Sequence, residues 1–272
     1  MTLKERMTAL RSATEYVFDE GGWLVIMVDG RSFSHLIKNK YKKPFDEKFM
    51  DLMDMTAEYL CANIQGCKFA YVQSDEITLI VNNTSGDDTF SPFFGNRLTK
   101  ILSIVAAMAS GKFNQLTYAD IVRDEHFSLL SPELRTQRIM ATQPVQFDCK
   151  CFRADNDNDA FAYLLWRQVD CIRNSKQQMA QKWFGHKDLE GLNTDEQVEK
   201  TLAEKGQDWN ALCDGMKYGR FIYREKETFF NQSMDKTYER NVWKSHGAFP
   251  INTDDGKEKL KETGLFEHNS KK

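Results

Sequence analysis

No stretch of the 272 residues is long and apolar enough to cross a bilayer. The longest apolar runs, WLVIMV and FAYLLW, fall far short of the roughly 20 residues a spanning helix needs. No basic segment followed by an apolar run marks a secretory leader, which points to the cytoplasm. Cysteines number six, at 61, 67, 149, 151, 171 and 213, too sparse for a disulfide framework in a chain of this size. Cys149 and Cys151 share one face of a strand, but no second pair completes a zinc site, so reduced structural thiols are expected. A basic surplus is missing too: 37 Lys and Arg stand against 40 Asp and Glu, for a net charge of −3. That excludes a global nucleic-acid footprint without excluding local patches, and lysines do cluster in KNKYKK at 38–43. Repeats and low-complexity linkers are also absent.

What is present is a soluble globular composition, 41% hydrophobic and 28% charged. The length suits one large domain or a domain with an elaborated second half. Leu3, Met7, Leu10, Ala13 and Val17 recur at helical spacing and predict a helix over 3–20. Gly21 and Gly22 end it, and residues 23–28 read as a buried strand ending at Asp29-Gly30. Pro44 and Asp46 open a helix over 46–64. CKFAYVQ and ITLIV are strands separated by little more than SDE, which makes a hairpin. FGNRLTKILSIVAAMASGKF is a strong helix. PVQFDCKCFRA is a fourth strand, with Gln146, Asp148 and Lys150 on one face. A further helix covers 157–184. The order β-α-β-β-α-β over the first 153 residues is the split βαβ, ferredoxin-like arrangement, an α+β fold on an antiparallel sheet. The expected organisation is a palm-like domain at 1–153, a helical extension at 154–250 completing the cleft, and a charged, mobile tail at 251–272.

In such a sheet strands one and three are neighbours, so Asp29 at the end of the first strand approaches Asp75 and Glu76 at the hairpin. Two close carboxylates repel unless one is protonated or a hard cation lies between them. Mg²⁺ takes few protein oxygens and leaves the rest of its shell to substrate phosphates. The pair therefore suits phosphoryl or nucleotidyl chemistry, with turn capping or surface placement as the competing reading. Arg97 and Lys100, three residues apart at a helix N-terminus, are of the type that binds a triphosphate, with ordinary surface cations as the alternative. Arg31 and Lys43 flank the first aspartate.

Taken together, VDGRSFSHL, KKPFDEKFMDLM, FAYVQSDEITLI, FFGNRLTKILSIVAAMAS, FDCKCFRA and WRQVDCIRNS, in that order over roughly 20–180, resemble the tRNA-His guanylyltransferase superfamily. The likeness is to its bacterial-type, Thg1-like members that extend RNA in the 3′-to-5′ direction. GLNTDEQVEKTLAEKGQDWN and KYGRFIY continue it. The resemblance implies a polymerase-type palm and two Mg²⁺ ions held by Asp29, Asp75 and the carbonyl of Gly30, with Glu76 in support. It implies that Ser74 and Lys43 handle the incoming nucleotide, that Arg31, Ser32, Phe33, His35 and Asp46 belong to the same nucleotide-binding stretch, and that Arg97 and Lys100 meet a triphosphate. Arg167, Asp170, Arg173 and Asn174 match the helix lining the cleft. ATP, GTP and other NTPs are the implied substrates, tRNA the partner, and a homotetramer, a dimer of dimers, the assembly. In the implied reaction the 3′-hydroxyl of an NTP attacks the α-phosphorus of a triphosphorylated or adenylylated RNA 5′ end and releases pyrophosphate or AMP.

One segment departs from the pattern. Eukaryotic members carry HINNLYN after the Asp-Cys pair. Here Ile172 stands at the His position and Gln177 at the Tyr, and Asn174 alone is kept. The departure favours template-dependent addition to truncated tRNA over dedicated guanylyl addition at position −1. A conventional palm enzyme and an inactive RNA-binding scaffold complete the field.

Overall fold

The computed structural model describes residues 1–33, 40–84, 91–233 and 235–266. Helix α1 spans Leu3–Ser12, capped by Thr2 and Glu5 in a reciprocal box. It is shorter than its apolar spacing predicts. Residues 16–18 turn extended because Val17 bridges Arg97 and the Phe18 N–H donates to the Asn96 carbonyl. Strand β1 (Trp23–Gly30), helix α2 (Glu47–Asn63), β2 (Cys67–Gln73) and β3 (Glu76–Asn82) follow. Then come α3 (Leu98–Arg123), α4 (Pro132–Ala141), β4 (Phe147–Ala154), α5 (Asp157–Gln181) and α6 (Thr194–Lys205). The chain closes with β5 (Arg220–Asn231), β6 (Lys236–Gly247) and α7 (Asp254–Glu262).

The strands form a single sheet in the order β4-β1-β3-β2-β5-β6, antiparallel throughout. Its first four strands have the split βαβ order. The side chains of Leu24, Ile26 and Val28 on β1 alternate with those of Trp23 and Val25. The first set packs with α2 and α3 around Met53, Leu60, Val105 and Phe113. The second packs with α5 and α7 around Leu164, Phe221 and Leu260. Burial on both faces explains why these strands read as continuous apolar runs.

The segment after α6 extends the same sheet, because Ala70–Val72 of β2 pair with Arg220–Ile222. Beyond that foot, β5 and β6 continue as a two-stranded arm whose register runs from Arg220↔Gly247 to Asn231↔Lys236. Of the segment expected as a mobile tail, residues 251–266 include α7 and pack on the sheet, and 267–272 lie outside the described residues. Leu260 of α7, with Ile251 and Leu265, is buried to within 1% of full exclusion. The lysines and acids of this segment face water while its few apolar residues close the second core. Gln168 of α5 fixes the connection, donating to the Phe249 carbonyl at 2.9 Å and accepting from the Ile251 N–H at 2.9 Å.

Candidate active site

The ladder puts three acids in a row. Asp29 on β1 lies opposite Glu76 on β3 and opposite Asp148 on β4. Asp75 joins them from the β2–β3 turn, where Ser74 adopts φ +46°. That turn is tied to β1 by the Gly30 N–H, which donates to the Asp75 carbonyl at 3.1 Å. A Cβ at Gly30 would meet the Phe33 ring at 2.3 Å, so this approach needs glycine. The Ser74 hydroxyl donates to Asp75 Oδ1 at 2.9 Å.

The four carboxylates are not equivalent. Glu76 accepts from Arg167 Nε at 2.8 Å and Nη2 at 2.6 Å, and also from Gln73 and Thr78. Its charge is thus paired by a bidentate guanidinium. Asp29 and Asp75 form no salt bridge with a described residue. Burial, followed by the charges of Asp75, Glu76 and Asp148, pushes the Asp29 carboxyl up to about 6, against a smaller lowering by Lys150. Burial also raises Asp75, against the hydrogen bond from Ser74. Burial and mutual repulsion thus favour the neutral form of both aspartates.

A cleft of about 570 Å³ opens beside these acids, between the loop at 41–46, the start of α2 and the α5 face carrying Arg167, Cys171, Asn174 and Gln178. Lys42 and Lys43 stand on one side, Lys182 and Arg220 on others. Arg220 is held by Asp54, whose second oxygen accepts from Ser245, so α2, β5 and β6 meet there.

The structure brings Asp29, Asp75, Glu76, Ser74, Lys43, Asp46 and Asn174 to the cleft. Both oxygens of Asp46 are engaged, capping α2 at Phe49 N and accepting from Lys42 N at 2.8 Å, so it shapes the lysine loop. Asn174 donates to Asp170, which also accepts from Arg167 and Arg173. Arg31 is exposed and pairs with Gln146, and Ser32 beside it is exposed at φ +58°. Phe33 is buried among Phe49, Phe113 and Phe147, and offers no face to a nucleotide. His35 lies outside the described residues. Arg97 and Lys100 sit at the opposite end of the sheet. The Leu98 N–H bonds the Tyr16 carbonyl there, whereas Ser110 and Asn114 of the same helix reach Phe147 and Val145 near Gly30. Arg97 pairs with Glu15, and Lys100 lies over the Phe94 ring. Asp148, opposite Asp29, was not singled out from the sequence as a neighbour of the aspartates. Strand alternation and the strand order together would have placed it beside Asp29.

Crowded acids at one end of an antiparallel split βαβ sheet, faced by lysines across a cleft, put the chain among the nucleotidyltransferases. A family model for tRNA-His guanylyltransferase (Thg1) matches residues 5–155, more than half the chain. A bacterial Thg1-like protein in complex with ATP aligns over 98% of this chain and 100% of its own, at 26% identity and a TM-score of 0.77. In complex with GTP, such a protein aligns at 25% identity and a TM-score of 0.69, over 97% and 99% of the two chains. An uncharacterised protein of Acanthamoeba polyphaga mimivirus is 28% identical over 235 residues, 81% of this chain and 76% of its own. tRNA(His) guanylyltransferase 2 of Arabidopsis thaliana is 23% identical over 75% of this chain, which spans 36% of that protein. The chain belongs to the tRNA-His guanylyltransferase (Thg1) family. No helix among the described residues is long and apolar enough to cross a membrane.

Proposed function

We propose that the chain adds nucleotides to the 5′ end of tRNA, growing the strand in the 3′-to-5′ direction. The observation that carries this is the juncture of Asp29 and Asp75, tied through the Gly30 N–H, at the mouth of a cleft walled by Lys42 and Lys43. The likeness to proteins seen with ATP and with GTP supports the cleft as a triphosphate site.

Magnesium fits the donor set. Among the described residues no group of three or more His, Cys, Asp and Glu is arranged as a metal cage. Two unpaired aspartates suit an ion that draws most of its oxygens from substrate and water. Asp29, Asp75 and the Gly30 carbonyl would hold two Mg²⁺ ions, which, when bound, acidify the attacking hydroxyl and neutralise charge on the phosphoryl group. The protein's own part is positional. Lys43 meets the NTP phosphates, Ser74 orients Asp75, and Arg167 keeps Glu76 from joining the unpaired acids. The 3′-hydroxyl oxygen bonds to the α-phosphorus of the RNA 5′ end, its proton passes to solvent, and pyrophosphate or AMP leaves.

Guanylyl addition to tRNA-His is the reading favoured by the matched family and by the named guanylyltransferases among its relatives. Template-dependent addition to truncated tRNA is the second, favoured by Ile172 and Gln177 in the segment after Asp170-Cys171. One assay separates them: 5′-triphosphorylated tRNAs, intact or lacking the first nucleotide, with varied opposing base and anticodon. Guanylyl addition expects G on the His-anticodon tRNA whatever base lies opposite. Templated addition expects the added base to follow its opposite, and no addition to any RNA overturns both. The proposal includes a cytoplasmic homotetramer, a dimer of dimers with tRNA spanning subunits, supported by the exposed Leu3, Met7 and Leu10 of α1. Arg97 and Lys100, remote from their own cleft, would then serve a triphosphate or RNA at a neighbouring subunit. Light scattering of the purified chain tests the assembly.

A further inference from the structure

On the β4 side of Asp29 lies a second, exposed surface. Its floor is the open face of β4. Alternation turns Asp148, Lys150 and Phe152 the same way, beside Asp29, Met27 and Val25 of β1. Its wall is α5. The Tyr163 hydroxyl donates to the Met27 sulfur at 3.3 Å, and its ring meets Phe152 at 4.9 Å and Trp166 at 5.5 Å, both edge to face. Trp166 is 60% exposed and Phe152 37%. The Arg167 guanidinium lies 4.7 Å from the Trp166 ring while its donors hold Glu76. An exposed indole is thus oriented from two sides, one residue from the group that anchors the row of acids.

We propose that this trough receives the 5′-terminal base of the acceptor RNA, stacked on Trp166 and Phe152, with Lys150 facing its phosphate. The inference rests on the nucleotide-addition reading and names the surface that reading lacks. Transfer brings two polyanionic substrates to one set of carboxylates, so two approaches are needed. The cleft occupies the β2–β3 side, lined by Gln73, Ser74 and Arg220. The trough occupies the β1–β4 side. Every base has a stacking face, so a bare ring accepts end nucleotides of any identity. Lys150, exposed on this face, offers an anionic strand a counter-charge, whereas an apolar protein partner would have to cover it.

The test uses the full chain and an acceptor-stem RNA hairpin carrying 2-aminopurine as its 5′-terminal nucleotide. Wild type and Trp166→Phe are expected to quench its fluorescence on binding. Trp166→Ala is expected to lose the quench and bind the RNA about tenfold more weakly, with ATP affinity by calorimetry unchanged. Lys150→Ala is expected to weaken RNA binding and to flatten its salt dependence. Quenching by Trp166→Ala equal to wild type overturns the proposal, as does a Trp166→Phe variant that fails like the alanine. A change in oligomer size in Trp166→Ala with quenching intact also overturns it, and makes the patch a contact between copies. A wild-type chain that binds and quenches the RNA but adds no nucleotide overturns the preceding reading and leaves the trough assignment standing.

Discussion

Asp29 and Glu76 face one another across a single rung of the sheet, and the fold treats them in opposite ways. Glu76 has both oxygens filled, by Arg167, Gln73 and Thr78. Asp29 shares its surroundings with Asp75 and Asp148 and has no salt-bridge partner among the described residues. One carboxylate fastens α5 to the sheet and the other is left with its charge uncompensated. Proximity to the centre is therefore a poor guide to role. What separates the two is whether the protein itself supplies the counter-charge.

The strongest way to break this contrast is to neutralise the unpaired acids. Asp29→Asn and Asp75→Asn are each expected to lower nucleotide addition by about three orders of magnitude, the loss of several kcal/mol of transition-state stabilisation. Thermal melts of both variants, taken in EDTA, should be no lower than wild type, because each removes repulsion. A fall in melting temperature would show that the aspartates are structural. The paired acid should behave in reverse. Arg167→Ala leaves Glu76 buried and uncompensated and is expected to cost about 3 kcal/mol in urea unfolding. Combining it with Glu76→Gln should restore part of that loss. Gln168→Leu strands the Phe249 carbonyl and the Ile251 N–H and is expected to cost about 2 kcal/mol. At the cleft, Lys43→Ala should raise KM for the NTP about tenfold while stability moves by less than about 0.5 kcal/mol.

The smallest effect concerns the reverse face of β4. Burial pushes the Cys149 and Cys151 thiols up to about 12. The sign is that of a group whose neutral form the fold favours. Its stabilisation is intact below the ordinary thiol value near 9 and is lost as pH climbs from there towards 12. At pH 8 these thiols should resist iodoacetamide while the exposed Cys213 is labelled, with peptide mass spectrometry reporting the order.

The split βαβ core was legible because its strands are buried on both faces and its turns carry Gly, Asp and Asn in short spacers. Asp29 and Asp75 were legible for the same reason: an acid ending an apolar run stands out. The resemblance separated Glu76, in support, from Asp75, but the reason was not legible locally, since its partner Arg167 lies 91 residues away. Phe33 reads like part of a nucleotide loop yet belongs to the core, because Gly30 lets its ring fold back beneath the strand end. The packing of residues 251–266 was not legible because their apolar residues, Ile251, Leu260, Leu265 and Phe266, are dispersed among charges and meet a strand face formed elsewhere in the chain. Arg97 and Lys100 announce a helix start, but helix direction, which no local spacing encodes, carries that start away from the acids.

The β5–β6 arm has a consequence for the chain in crowded solution. Among the described residues β6 ends the sheet, and its exposed first half, residues 236–241, has no strand on its outer side. Such an edge invites pairing with any passing strand. Lys236, Glu239, Arg240 and Lys244 are spread along it, and a neighbouring chain that docked there in extended form would have to bury or match them. Charges that make this stretch look featureless in the sequence are of the kind that disfavours growth of an open sheet by edge pairing.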